Sequence, residues 1–204
     1  MRCFVFRNVT GCAVLSALLM MTLVNAPARG AFIATATQVG SNVVATGSGT
    51  IDTAALTFKP SQDGGDYDSG YSFSLAATFG IGPAASTLVD KYSGINGPSN
   101  FGSGVHVINA TSGSGDIVEV ANYFSVLDVP SGYVSGSPLS DTSTFNNQTF
   151  ASMGMTPGVY QWNWGSGPTA DSYTLTIGAV PEPCSVGLFS ITGLCLLGRR
   201  AKRN

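Results

Sequence analysis

The chain has 204 residues with a formal net charge of −2, and that small value conceals a segregated distribution. Arg2, Arg7 and Arg29 lie at the start and Arg199, Arg200, Lys202 and Arg203 at the end, which leaves Lys59 and Lys91 against ten acids between Phe32 and Val180, a net of −8. A body so acidic excludes phosphate-tracking nucleic-acid binding. With Cys3, Cys12, Cys184 and Cys195 all outside the body, it also excludes an internal disulfide, a cysteine nucleophile and a cysteine zinc site.

Residues 1–31 read as a secretory signal peptide. Arg2 and Arg7 form its positive region, Gly11 to Val24 its apolar region, and Ala26-Pro27-Ala28 presents small residues for cleavage after Ala28. Cleavage after Gly30 or Ala31 is the neighbouring alternative. An uncleaved anchor is the competing reading, but the run falls short of the ~20 residues a span needs. Val9-Thr10-Gly11-Cys12 imitates a lipoprotein box, yet it precedes the apolar run instead of following it.

The body, 32–178, alternates with a period of two and predicts strands. Tyr71, Phe73, Leu75, Ala77 and Phe79 share one face of a single strand, and Val118, Val120, Phe124 and Val126 one face of another. Tyr160–Trp164 and Tyr173–Ile177 alternate in the same way, with weaker strands over 32–39, 43–51, 55–59 and 105–109. Asp63-Gly64-Gly65, Asn96-Gly97-Pro98 and Ser112-Gly113-Ser114-Gly115 read as turns, as does Gly47-Ser48-Gly49. Thr156-Pro157-Gly158 suits a type II turn. No stretch of the body keeps a helical period for three turns, and at most 149–153 forms one helical turn. The fold class is therefore all-β: an antiparallel, jelly-roll-like β-sandwich, flanked by an N-terminal signal helix and a C-terminal hydrophobic helix. No internal repeat is visible, which argues against a propeller or a β-helix.

Catalysis is weighed mostly by elimination. His106 is the one histidine, so a two-histidine metal site is excluded, and no Gly-x-Ser-x-Gly elbow is present. Glu119, the sole glutamate of the body, offers half of a glycosidase pair, but its place in the alternation reads as solvent-facing. The body is read as non-enzymatic. Asp63, Asp66 and Asp68 in DGGDYDSG form a candidate calcium loop, set against a plain solvated acidic turn. Tyr160, Trp162 and Trp164 form a candidate sugar platform, set against a strand that faces the core. The sequons at Asn109 and Asn147 matter only in a eukaryotic secretory pathway.

The last segment, 179–204, has three parts in fixed order. Val180-Pro181-Glu182-Pro183 comes first, then an apolar run from Cys184 to Leu197, then the basic end with Arg199, Arg200, Lys202 and Arg203. A helix over 184–198 is barely long enough to cross a bilayer, and the basic end would hold its C-terminus in the cytoplasm. Two prolines keep the segment before it extended and open to a protease.

This order resembles the PEP-CTERM sorting signal of bacterial exosortase substrates, with Cys184 standing where serine or alanine is more usual. The stretch from Tyr133 to Gly178 is also similar to the body end of many such proteins. A tail of this kind is described elsewhere as an ice-binding protein C-terminal domain, a label for the tail alone, since the body lacks regular Thr-x-Thr arrays. The resemblance implies export through the Sec translocon, with signal peptidase acting at the leader, and transient anchoring in the inner membrane. It further implies recognition of Pro181-Glu182-Pro183 by an exosortase-like membrane transpeptidase, then delivery to the cell surface or an exopolysaccharide matrix. A plain tail anchor without processing is the competing reading. For the body, the open alternatives are a carbohydrate- or calcium-binding adhesion module and a glycosidase-like enzyme.

Overall fold

Alternating side chains and short polar turns leave this chain one economical way to bury its apolar rows, as strands laid face to face. The computed structural model describes residues 30–60 and 65–178. Within them run β1 (Phe32–Val39), β2 (Asn42–Thr50), β3 (Thr57–Lys59), β4 (Asp66–Asp68), β5 (Tyr71–Phe73), β6 (Thr78–Ile81) and β7 (Thr87–Ser93). The second half adds β8 (Ile108–Asn109), β9 (Ser112–Gly115), β10 (Val118–Ala121), β11 (Val126–Pro130), β12 (Pro138–Phe145), β13 (Gly158–Trp164) and β14 (Asp171–Ile177). One sheet has the order β13-β14-β1-β2-β12-β9, the other β3-β7-β11-β10-β6-β5-β8, with β4 also paired to β7. The fold is all-β with antiparallel sheets in a sandwich-like arrangement. One pairing departs from that rule: β1 runs parallel to β14, with Phe32 opposite Tyr173.

The core lies between the sheets. Phe32, Val43, Phe145, Trp162, Tyr173 and Leu175 enter it from the first sheet, and Phe79, Ile81, Val118, Val120, Leu127 and Val129 from the second. Each fully buried large side chain stabilises the fold by ~1.5–3 kcal/mol. Phe79 meets Phe101 edge-on at 5.9 Å, and Phe32 stacks on Tyr173 at 5.3 Å. Ser143 ties the sheets together: its Oγ donates to the Gly82 carbonyl at 2.8 Å and accepts from the Gly82 amide at 2.9 Å.

Several expectations are corrected here. The run from Tyr71 to Phe79 is a hairpin, because a 3-10 turn over Ser74–Ala76 and a left-handed Ala77 (φ 48°) fold it back, with Tyr71 opposite Gly80. The run from Val118 to Val126 does the same through Asn122–Phe124 and Ser125 (φ 53°), bringing Glu119 opposite Asp128. These two hairpins share one design, a local likeness that the sequence does not display. Gly47-Ser48-Gly49 lies inside β2, and an added Cβ at Gly47 would collide with the Phe32 ring and Asp141 Oδ1. Ser112–Gly115 is an edge strand paired to β12, since a backbone ladder needs no particular side chain. Gly158 starts β13 and lacks the positive φ of a type II turn; Gly154 (φ 61°) supplies the left-handed residue nearby. Thr149 to Met153 does close one turn, with the Met153 amide donating to the Thr149 carbonyl at 3.0 Å.

Among the described residues no helix is long and apolar enough to cross a membrane. The expected signal peptide with Ala26 and Ala28 lies outside those residues, as do the expected helix over 184–198, the expected sorting motif Val180 to Pro183 and the basic end.

Candidate functional site

Strand register builds the site. Tyr71 faces Gly80, Gly80 faces Glu119, Glu119 faces Asp128, and Asp128 faces Lys91, one row across β5, β6, β10, β11 and β7. Residues directly opposite share a face. Val118, Val120, Leu127 and Val129 take the inner face, so this row lies on the outer one. Yet Glu119 is 2 % exposed and Asp128 0 %. The link from β4 to β5 crosses above them, and a Cβ at Gly80 would fall 2.8 Å from the Ser69 carbonyl oxygen. Glycine at 80 is what lets this strap lie down on the sheet.

Beneath the strap, Tyr71 Oη donates to Glu119 Oε1 at 2.8 Å and Lys91 Nζ donates to Asp128 Oδ2 at 2.7 Å. Asp68, the last residue of β4 at the root of the strap, accepts from the Ser69 amide at 3.0 Å and lies within hydrogen-bonding reach of both other carboxyls. One oxygen from each of Asp68, Glu119 and Asp128 lies within 4.8 Å of the others. Glu119 Oε2 and Asp128 Oδ1 are buried with no donor.

Burial, reinforced by Asp68, pushes the Glu119 carboxyl well above the usual carboxylate range, while the Tyr71 hydrogen bond pulls it back in part. Burial carries Asp128 up to about 7 against the opposing pull of Lys91. The Tyr71 phenol is raised by burial and by the Glu119 charge beside it. Burial draws the Lys91 ammonium down, but the bond and charge of Asp128 outweigh that and leave it raised.

The cluster floors a cleft of about 540 Å³. Phe73, Leu75, Val107, Tyr123 and Phe124 line its apolar walls. The two 3-10 turns sit side by side, with the Asn122 amide donating to the Ala77 carbonyl at 3.3 Å. They carry the rim, where Tyr123 is 77 % and Phe124 69 % exposed, their rings perpendicular at 4.8 Å. An apolar cleft with a few convergent polar groups is the usual form of a ligand site. This one joins an acceptor-rich floor to an aromatic edge.

Of the residues expected to bind calcium, Asp63 lies outside the described residues, Asp66 borders a separate hollow with Lys59 and Asp90, and Asp68 alone joins the cluster. The aromatic stripe is corrected as a sugar platform: Trp162 and Trp164 are buried, because their strand faces the other sheet. Tyr160 is half-buried against Phe101 at 5.9 Å, its hydroxyl donating to the Thr156 carbonyl. Glu119 is corrected from a solvent-facing position to a buried one, because the strap covers its face. Sequence reasoning passed over Tyr71, Lys91 and Asp128. The available signal was a charge inside an apolar strand, as in Val118-Glu119-Val120 and Leu127-Asp128-Val129. Compared with protein-family models, with curated proteins and with solved structures, the chain matches none.

Proposed function

We propose that this chain is an exported bacterial envelope protein whose non-enzymatic sandwich binds matrix glycan in the outer-face cleft. The observation that carries the reading is the pairing of exposed Tyr123 and Phe124 with the polar residues Asp68 and Lys91 in the lining of the same cleft. A sugar ring offers an apolar face for an aromatic edge and hydroxyls for carboxylates, and the cleft presents both. Hydrolysis is less well supported. Glu119 and Asp128 face each other beneath the strap, whereas a glycosidase sets its two carboxyls on either side of the bond it cleaves.

The leader and the tail support the route. Sec export, signal peptidase cleavage after Ala28 and exosortase-type processing at Pro181-Glu182-Pro183 would release the sandwich to the surface or matrix. Retention on exopolysaccharide from the producing cells tests the glycan reading. The intact chain is expected to be retained and the Tyr123→Ala/Phe124→Ala variant to pass through; equal retention of both, or of neither, refutes it. Alanines at Pro181, Glu182 and Pro183 test the route, and an unchanged mature mass and distribution would sink it.

A further inference from the structure

We propose that the floor of the cleft binds one calcium ion between Asp68, Glu119 and Asp128. The acids alone would not justify this. What points to a ligand is that Glu119 Oε2 and Asp128 Oδ1, on side chains 2 % and 0 % exposed, have no hydrogen-bond donor. Leaving such oxygens unsatisfied is costly, and unlike the unpaired atoms of Ser72, Asp141, Trp162 and Tyr173 these two belong to carboxyls that close on one point with Asp68.

The spacing fits. Oxygens on opposite sides of a calcium ion at ~2.4 Å are ~4.8 Å apart, and the three donor oxygens here lie within 4.8 Å of one another. The charge fits as well. Fully ionised, as ligands of an ion would be, three carboxylates and the Lys91 ammonium leave a net of −2, which one divalent cation cancels. The donors are all oxygens, which suits a hard cation and not zinc. Calcium is favoured over magnesium because it accepts an irregular shell, and three carboxylates on separate strands do not impose an octahedron.

The remaining oxygens of two ligands are already held, Glu119 Oε1 by Tyr71 and Asp128 Oδ2 by Lys91, so both carboxylates are aimed before an ion arrives. Asp68, Lys91 and Glu119 border the open cleft, which gives the ion an entry path and leaves room for water ligands. Because Asp68 ends β4 where the strap begins, the ion would also hold the root of the strap against β10 and β11. Calcium binding does not require the glycan reading, since its ligands are Asp68, Glu119 and Asp128 whereas the glycan test turns on Tyr123 and Phe124 at the rim.

The test uses the full-length chain in detergent micelles, stripped of metal with a chelator, at about pH 8.5. Titration calorimetry with calcium chloride is expected to show a single site, and calcium to raise the melting temperature by several degrees more than magnesium does. Glu119→Gln is expected to weaken calcium binding at least tenfold while leaving the metal-free melting temperature close to the parent's, because the amide has the same shape and its oxygen still accepts from Tyr71. That pairing separates a lost ligand from a damaged fold. Asp66→Asn is expected to leave the affinity unchanged. The proposal is overturned by an absence of calcium-dependent heat or melting shift at about 10 mM, beyond the weakest extracellular sites. It is equally overturned if Glu119→Gln binds as tightly as the parent, or if Asp66→Asn abolishes binding. Glycan retention without a calcium response would remove this site and leave the glycan reading intact. A calcium response without retention would do the reverse.

Discussion

Tyr71 reaches across Gly80 to donate its hydroxyl to Glu119 Oε1 at 2.8 Å, joining two hairpins of the same design through the one position between them that has no side chain. Removing that donor leaves a buried carboxyl with neither oxygen paired. Tyr71→Phe should cost roughly 1–3 kcal/mol in urea unfolding. The hydrogen bond also pulls the raised Glu119 carboxyl back toward its ordinary range. Without it the folded state resists ionisation more strongly, and the variant should lose more stability at about pH 8 than at about pH 5.

Lys91 and Asp128 form the one ion pair among the described residues, the lysine side chain 28 % exposed and the aspartate fully buried. Lys91→Met strands that carboxylate and should cost ~3 kcal/mol, the low end for a buried pair because water reaches the lysine side. Lys91→Met/Asp128→Asn should recover most of the loss. A double-mutant cycle by chemical denaturation measures the coupling, and additive losses would show that the pair contributes nothing.

Gly80→Ala tests the strap. The new methyl would fall 2.8 Å from the Ser69 carbonyl oxygen and 3.4 Å from Glu119 Oε2. The strap must lift or the strand must shift, at a cost of roughly 1–3 kcal/mol. Hydrogen exchange should rise at the Ser69 and Tyr71 amides, while the inner-face residues of β6 keep their protection.

A second buried acid governs the pH response of the core. Asp141 points between the sheets, 2 % exposed, and neither of its oxygens makes a well-formed hydrogen bond. Burial, then the charge of Asp116, pushes it up to about 8, with the Gly47 amide offsetting a part; the Tyr173 hydroxyl is the other titratable group facing it. Its folded pKa exceeds the unfolded value of ~3.9, so the folded state holds the proton longer. Its contribution is full below that unfolded value and is lost as the pH rises through about 8. Stability should therefore fall with rising pH between those limits, by at most ~1.4 kcal/mol per unit for this one group. Glu119 and Asp128 act in the same direction, so Asp141→Asn should shrink the slope without abolishing it. Urea midpoints at about pH 5 and pH 8 decide this; a slope unchanged in Asp141→Asn would show that Asp141 is not raised.

The aromatic residues divide by role. Trp162→Ala opens a hole in the core and should cost ~3–5 kcal/mol. Tyr123→Ala and Phe124→Ala, at exposed rim positions, should each change stability by less than ~0.5 kcal/mol. Thermal unfolding separates the two classes, and a large loss at the rim would mean that those residues are structural.

Much of the fold was legible because half-buried strands print a period of two. Over Phe32–Val39 and Tyr173–Ile177 the inner rows are apolar and the strands fall where the pattern places them. β12 escaped detection because its inner row reads Leu139, Asp141, Ser143, Phe145, so polar residues occupy core positions and mask the alternation. The two hairpins escaped because Ala77 and Ser125 adopt a left-handed backbone that is uncommon for residues other than glycine, and nothing local announces it.

By itself, then, the sequence determined an all-β body without cysteine and strongly acidic. Only the tertiary structure decided where the chemistry lies. Asp68, Tyr71, Lys91, Glu119 and Asp128 come from five strands spread over sixty residues, and strand register brings them into one cluster. Register and burial are properties of strands paired across long loops, set by how the whole core packs, and no local pattern of residues encodes them.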